Sequence, residues 1–94
     1  MKLKELYKTI IDRKKNTPAG SYVASLFQKD KDRIIQKVGE EATEVVIAAK
    51  NADKNRQIEE ITDLIFHLLI LMAQLEINLE DIYKELDKRR NLSN

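Results

Sequence analysis

Five carboxylates occupy positions where a solvated helix has little use for them. Glu40, Glu41 and Glu44 fall within Gly39-Glu-Glu-Ala-Thr-Glu-Val45. At roughly 3.6 residues per turn, Glu41 follows Val38 by three and precedes Val45 by four. It therefore lies at the edge of an apolar stripe. Glu44 stands beside it one turn on, and Glu40 is further out. The only lysine or arginine three or four residues from Glu41 is Lys37. Like charges so close destabilise a helix unless something neutralises them. Glu59-Glu60-Ile-Thr-Asp63 repeats the pattern. Glu60 and Asp63 share a face, and His67 extends that face by one turn.

Two such pairs on neighbouring antiparallel helices can converge on one point. Four hard oxygen donors around a gap suit Mg²⁺ or Mn²⁺, which take octahedral oxygen ligands and keep waters for phosphates to replace. Any one of these glutamates, taken alone, reads more simply as a solvated helix position. Both pairs together, each on an apolar border, favour the metal.

Other groups read less sharply. Lys37, Lys50 and Asn51 can hold phosphate oxygens as point charges and a hydrogen-bond donor; the plainer role is solubility, with Lys50 also favoured at a helix C-terminus. Gly20 and Ser21 can offer N–H and hydroxyl donors, or form a plain turn after Pro18. Gly39 inside a helix costs about 1 kcal/mol relative to alanine, so close helix approach is its expected cause. His67 reads as a buried, hydrogen-bonded histidine rather than a ligand.

These residues need helices to place them. With one proline and two glycines in the chain, Asn16-Thr-Pro-Ala-Gly-Ser21 is the strongest break. Leu3, Leu6, Tyr7, Ile10 and Ile11 mark an amphipathic helix before it. Tyr22, Val23, Leu26 and Phe27 follow as a short helix or turn. Asp30 or Asp32 caps a second main helix running to about Asn51. After the polar connector 51–55, Asp53 or Asn55 caps a third that reaches Leu75. Asn78 caps a short fourth carrying Leu79, Ile82, Tyr83 and Leu86. The fold is all-α, with four main helices per chain. From Leu64 to Leu75 the third helix is apolar in almost every direction and must be covered all round. One short chain can hardly do this, so the bundle is expected to be completed across a homodimer, with Leu69 and Met72 in its interface.

Composition narrows the function. The 94 residues hold 43% hydrophobic and 35% charged side chains, the balance of one folded domain spanning residues 1–94. Seventeen basic against sixteen acidic side chains give a net charge of +1, which argues against a nucleic-acid binder relying on bulk charge. The absence of cysteine excludes disulfides, thiolate zinc sites and cysteine nucleophiles. The first residues lack a signal-peptide core, and Leu64–Leu75 is too short to span a membrane. The expected compartment is the cytoplasm.

The runs Lys37-Val-Gly-Glu-Glu-Ala-Thr-Glu-Val-Val-Ile-Ala-Ala-Lys50-Asn and Glu59-Glu-Ile-Thr-Asp-Leu-Ile-Phe-His-Leu-Leu-Ile-Leu-Met72 resemble the phosphoribosyl-ATP pyrophosphohydrolases of histidine biosynthesis. These belong to the wider MazG-like all-α nucleotide pyrophosphohydrolases. The glutamate pattern alone points only to that superfamily. Gly20-Ser-Tyr-Val-Ala-Ser-Leu-Phe27 and Val-Gly-Glu-Glu-Ala-Thr-Glu narrow it. The likeness runs from about Leu3 to Arg90. It departs at Glu76-Ile77-Asn78, where a glycine is often found before the last helix, and this bears on the loop geometry.

The resemblance implies hydrolysis of phosphoribosyl-ATP to phosphoribosyl-AMP and pyrophosphate, assisted by Mg²⁺ or Mn²⁺. Carried over by position, Glu41, Glu44, Glu60 and Asp63 are the metal ligands. Glu40 is the first candidate to hold or deprotonate the attacking water, with Glu44 or Glu60 able to serve instead, since a ligand can also accept a proton. Glu40, Glu41 and Glu44 are the catalytic candidates. Gly20, Ser21, Tyr22, Lys37, Lys50 and Asn51 are the candidates for binding substrate. A separate phosphoribosyl-AMP cyclohydrolase is a conceivable partner, since some family members are fused to one. Two alternatives stay open: a house-cleaning pyrophosphohydrolase for (deoxy)nucleoside triphosphates, and a non-catalytic helical dimerisation module.

Overall fold

The computed structural model describes residues 1–51 and 53–90, all of whose regular structure is helical. Five helices follow in order: α1 (Leu3–Asn16), α2 (Tyr22–Gln28), α3 (Lys31–Ala49), α4 (Lys54–Gln74) and α5 (Leu79–Lys88). The segment expected as a short helix or turn is thus a seven-residue helix. No described helix is long and apolar enough to cross a membrane.

Capping chemistry sets the helix starts. Ser21 Oγ accepts from the Ala24 N–H, and Asp30 and Asp53 each accept from the N–H three residues on, all at 3.1 Å. Asp30 and Asp53, rather than Asp32 and Asn55, are therefore the caps. Each such bond satisfies an orphan helix donor and is worth about 1 kcal/mol. Asn78 and Asp81 exchange side-chain and backbone bonds in a complete capping box.

The departure at Glu76 has a definite conformation. Glu76 adopts φ 59°, the left-handed region that glycine prefers. Its N–H donates to Ala73 O at 3.2 Å, and the Ile77 N–H to Met72 O at 2.9 Å. This is the Schellman ending of α4 built on a glutamate. Lys14 Nζ donates to Ala73 O at 2.8 Å, and the Tyr7 hydroxyl donates to Ile77 O, so α1 fastens down the same turn.

The antiparallel pair α3–α4 forms the body, with α1 laid against α4 and α2 packed against α1 and α3. Tyr7, Ile10, Leu26, Ile34, Leu69, Ile70 and Ala73 make the core. Leu69 is therefore part of this chain's own core, not of an outward face. The other side of α4 is bare. Ile58, Ile61, Ile65, Leu68 and Leu75 are exposed and, with the half-buried Met72, recur at alternating spacings of three and four. That is a coiled-coil seam. Helix α5 buries no residue; Ile82, Tyr83 and Leu86 remain exposed.

Gly39 does not mark close packing within the chain. A Cβ built there meets nothing within 4 Å, because the residue faces away from α4.

Candidate metal and phosphate site

Pairing α3 with α4 brings three of the carboxylates together. One oxygen each from Glu41, Glu60 and Asp63 lie within 4.8 Å of one another. Glu60 is buried, Glu41 half-buried and Asp63 exposed, so the cluster opens to solvent on one side. Its donor chemistry fits a hard divalent cation. At Mg–O distances near 2.1 Å, oxygens of one octahedron sit about 3–4 Å apart, so modest side-chain closure completes the fit. Glu41, Glu60 and Asp63 would hold the ion, with the remaining positions left for water or phosphate.

Glu44 stands apart from this trio. One helical turn beyond Glu41, it faces Arg56, whose guanidinium lies 3.9 Å from the Glu44 carboxylate and 3.2 Å from that of Glu60. Arg56 thus supplies positive charge to two of the four expected ligands. The sequence reading passed over this arginine. Its signal was the i, i+4 spacing to Glu60, which identifies a helix ion pair but gives no hint that Glu44 shares it.

Glu40 faces outward and is bound by Arg33 at 3.4 Å and Lys37 at 3.7 Å. Lys37 also donates to Glu41 at 3.2 Å. Burial disfavours the Lys37 ammonium. The hydrogen bond to Glu41 and the carboxylate charges of Glu41 and Glu40 more than offset this and raise its pKa above the usual lysine value. Lys37 therefore stays charged at neutral pH beside the cluster.

The remaining expected residues divide. The Tyr22 hydroxyl reaches His67 Nε2 at 2.9 Å, immediately next to Asp63 on α4. His67 is buried and hydrogen-bonded, as expected. Ser21 spends its hydroxyl on capping α2, leaving Gly20 at φ 82° in the turn before it. Lys50 and Asn51 close the far end of α3. Nine residues of helix separate Glu41 from Lys50, about 13 Å of rise, so the fold does not bring these two into the cluster. Asp63 also borders an open groove of about 550 Å³ lined by Leu3, Leu6, Thr62, Ile65 and Phe66 among others, which α1 and α4 form between them.

Comparison with known proteins shows the family of the chain. The chain is 51% identical over 88 residues to a phosphoribosyl-ATP pyrophosphatase of Clostridium novyi (strain NT), covering 94% of this chain and 80% of that protein. It is 49% identical over 86 residues to the protein of that name from Saccharolobus solfataricus, covering 92% of each. It also matches the histidine biosynthesis bifunctional protein HisIE of Thermoanaerobacter pseudethanolicus, at 54% identity over 83 residues, where it spans only 38% of the longer protein. The sequence profile of the phosphoribosyl-ATP pyrophosphohydrolases matches residues 3–90. With that match running from α1 through α5, the chain belongs to the phosphoribosyl-ATP pyrophosphohydrolase family.

Proposed function

We infer that the protein hydrolyses phosphoribosyl-ATP to phosphoribosyl-AMP and pyrophosphate, a step of histidine biosynthesis, with Mg²⁺ or Mn²⁺ at the Glu41–Glu60–Asp63 cluster. The observation carrying this reading is the convergence of those three carboxylates in a chain of this family. When bound, the cation supplies charge neutralisation to the polyphosphate and polarises the phosphorus under attack.

The chain's own groups divide the remaining work. Glu41, Glu60 and Asp63 hold the ion, and Glu44 joins them once its contact with Arg56 is released. Lys37, charged and already at Glu41, takes phosphate oxygens. Glu40 holds the attacking water and accepts its proton; Glu44 and Glu41 are the alternative acceptors. The water oxygen bonds to the α phosphorus, the bond from that phosphorus to the bridging oxygen breaks, and pyrophosphate leaves with the electron pair. Gly20, Ser21 and Tyr22 supply contacts to the nucleotide or its phosphoribosyl arm, with Lys50 and Asn51 reaching only the outer part of a bound substrate.

The working unit is a homodimer. The bare seam on α4 supports this, as does a radius of gyration of 14.9 Å, against about 12 Å for a fully packed domain of this length. The bifunctional relatives fit a separate cyclohydrolase acting on the product, and the cytoplasm is the proposed compartment.

The deciding experiment is pyrophosphate release from phosphoribosyl-ATP with and without Mg²⁺. Metal-dependent release of intact pyrophosphate is expected. In oxygen-18 water the label should enter phosphoribosyl-AMP. Stepwise release of orthophosphate, or equal rates on ATP, would return the protein to the general pyrophosphohydrolases or phosphatases.

A further inference from the structure

His67 is the one histidine of the chain, and it is 7% exposed in the wall behind the carboxylates. Both ring nitrogens are engaged. Nδ1 lies 2.8 Å from the Asp63 main-chain oxygen, and Nε2 lies 2.9 Å from the Tyr22 hydroxyl. A carbonyl oxygen can only accept, so Nδ1 carries the proton and donates. In the neutral ring Nε2 is then the acceptor, and Tyr22 donates to it. The ring is also gripped edge-on by Tyr22 and Phe66, with centroids 6.0 and 5.4 Å away.

The consequence is a polar strut from the start of α2 into α4. It starts at the turn 20–22, enters α4 through His67 and ends on the backbone of Asp63, one of the cluster's carboxylate residues. Helix α2 is only seven residues long and has no other side-chain hydrogen bond to α4 among the described residues. A short helix held by apolar contacts alone can slide along its neighbour; a directional bond fixes its register. On the reading given under Proposed function, the two ends of the strut are a substrate-contacting turn and a metal ligand.

We propose that Tyr22 and His67 are positioning residues: their hydrogen bond locks the turn 20–22 to Asp63, so that the metal ligand and the substrate-binding turn are set at a fixed distance. The pair touches neither the ion nor the reacting phosphorus. Apart from any contact of Tyr22 with the nucleotide, it acts through the two groups it joins.

The test compares Tyr22→Phe, His67→Asn and the double variant with the parent. Phenylalanine keeps the ring and loses the hydroxyl. Asparagine can place its amide near Nδ1, keeping the donor to Asp63 while losing the reach to Tyr22. Mn²⁺ binding is followed by calorimetry, and kcat and KM are measured with phosphoribosyl-ATP. Groups that orient metal ligands typically cost about tenfold or more in metal affinity or turnover when removed. Each single variant should lose about tenfold in Mn²⁺ affinity or kcat. The double variant should be no worse than either single one, because one bond is lost in all three. A purely structural role would lower the melting temperature and leave Mn²⁺ affinity and kcat of the folded protein within twofold of the parent. That result, or additive losses in the double variant, overturns the proposal. A parent protein that takes up no Mn²⁺ overturns the metal-site reading and the strut together, whereas a binding parent with equally competent variants overturns the strut alone.

Discussion

Arg56 explains why Glu44 stands outside the cluster. Between two carboxylates, at 3.2 Å from Glu60 and 3.9 Å from Glu44, its guanidinium takes part of the charge that a divalent ion would otherwise neutralise. Grouped carboxylates repel, so adding Mg²⁺ should raise the melting temperature of the protein. Glu41→Gln and Asp63→Asn should reduce that rise and abolish turnover, while the metal-free variants hold or gain stability, the trade expected at functional sites. If both variants keep parental activity and the parental rise, the metal lies elsewhere. Alkaline pH tests two other side chains. Burial, then the charge of Asp81, raises the Tyr7 phenol above its ordinary value of 10.0, and Lys37 is raised above 10.5. Both protonated forms are favoured by folding, so their contribution is complete below the unfolded values and lost as pH rises through the higher folded ones. Stability should therefore fall above pH 10, and Tyr7→Phe should flatten that fall in a urea-unfolding series. An unchanged slope would contradict the buried-phenol account. Residue types at helical spacing pick out Glu41, Glu60 and Asp63, whose oxygens the fold brings within 4.8 Å of one another, and a buried, bonded His67. The Arg56–Glu44 contact and the Tyr22–His67 bond join different helices, which no spacing within one helix encodes.

At the scale of the element, the helix starts were readable because capping is local chemistry. Asp53 and Asn78 sit where a side-chain oxygen must meet the third N–H onward. The end of α4 was less readable. A glycine announces a left-handed ending, and here Glu76 takes φ 59° without one, held by two Schellman bonds and by the fastening of α1 to the same turn. The strain of a left-handed L-residue is about 1–2 kcal/mol. Glu76→Gly should therefore stabilise the protein by about 1 kcal/mol, less what glycine adds to the freedom of the unfolded chain. Turnover should be unchanged, since the turn is remote from the carboxylates. Asp53→Ala is the converse case. It removes the N-cap of the helix that carries Glu60 and Asp63 and should cost about 1 kcal/mol in urea unfolding. A Glu76→Gly protein no more stable than the parent would mean that the fastening by Tyr7 and Lys14, not the side chain at 76, sets the conformation of the turn.

At the scale of the molecule, an all-round apolar α4 raises the expectation of a covering partner but does not say which face that partner would take. Leu69 and Ile65 look alike in the sequence, yet α1 packs against one side of α4, with α2 against α1 and α3, and another side is left open. Leu69 is 3% exposed, inside the chain's own core, and Ile65 is 37% exposed on the seam with Ile58, Ile61 and Leu68. This separates assembly from folding. A charge at Leu69 removes a buried side chain and introduces an unpaired ion, so Leu69→Glu should fail to fold whatever the oligomeric state. On a monomer, Ile65→Glu would be a surface substitution, with an effect within about 0.5 kcal/mol. In a dimer joined along α4 it places like charges near the two-fold, each desolvated and without a partner. Sedimentation velocity at micromolar concentration should show a parental dimer that Ile65→Glu converts to monomer, with a melting temperature that has become lower and independent of concentration. A parental protein that sediments as a folded monomer, with Ile65→Glu as stable as the parent, would leave the α4 seam without a second copy.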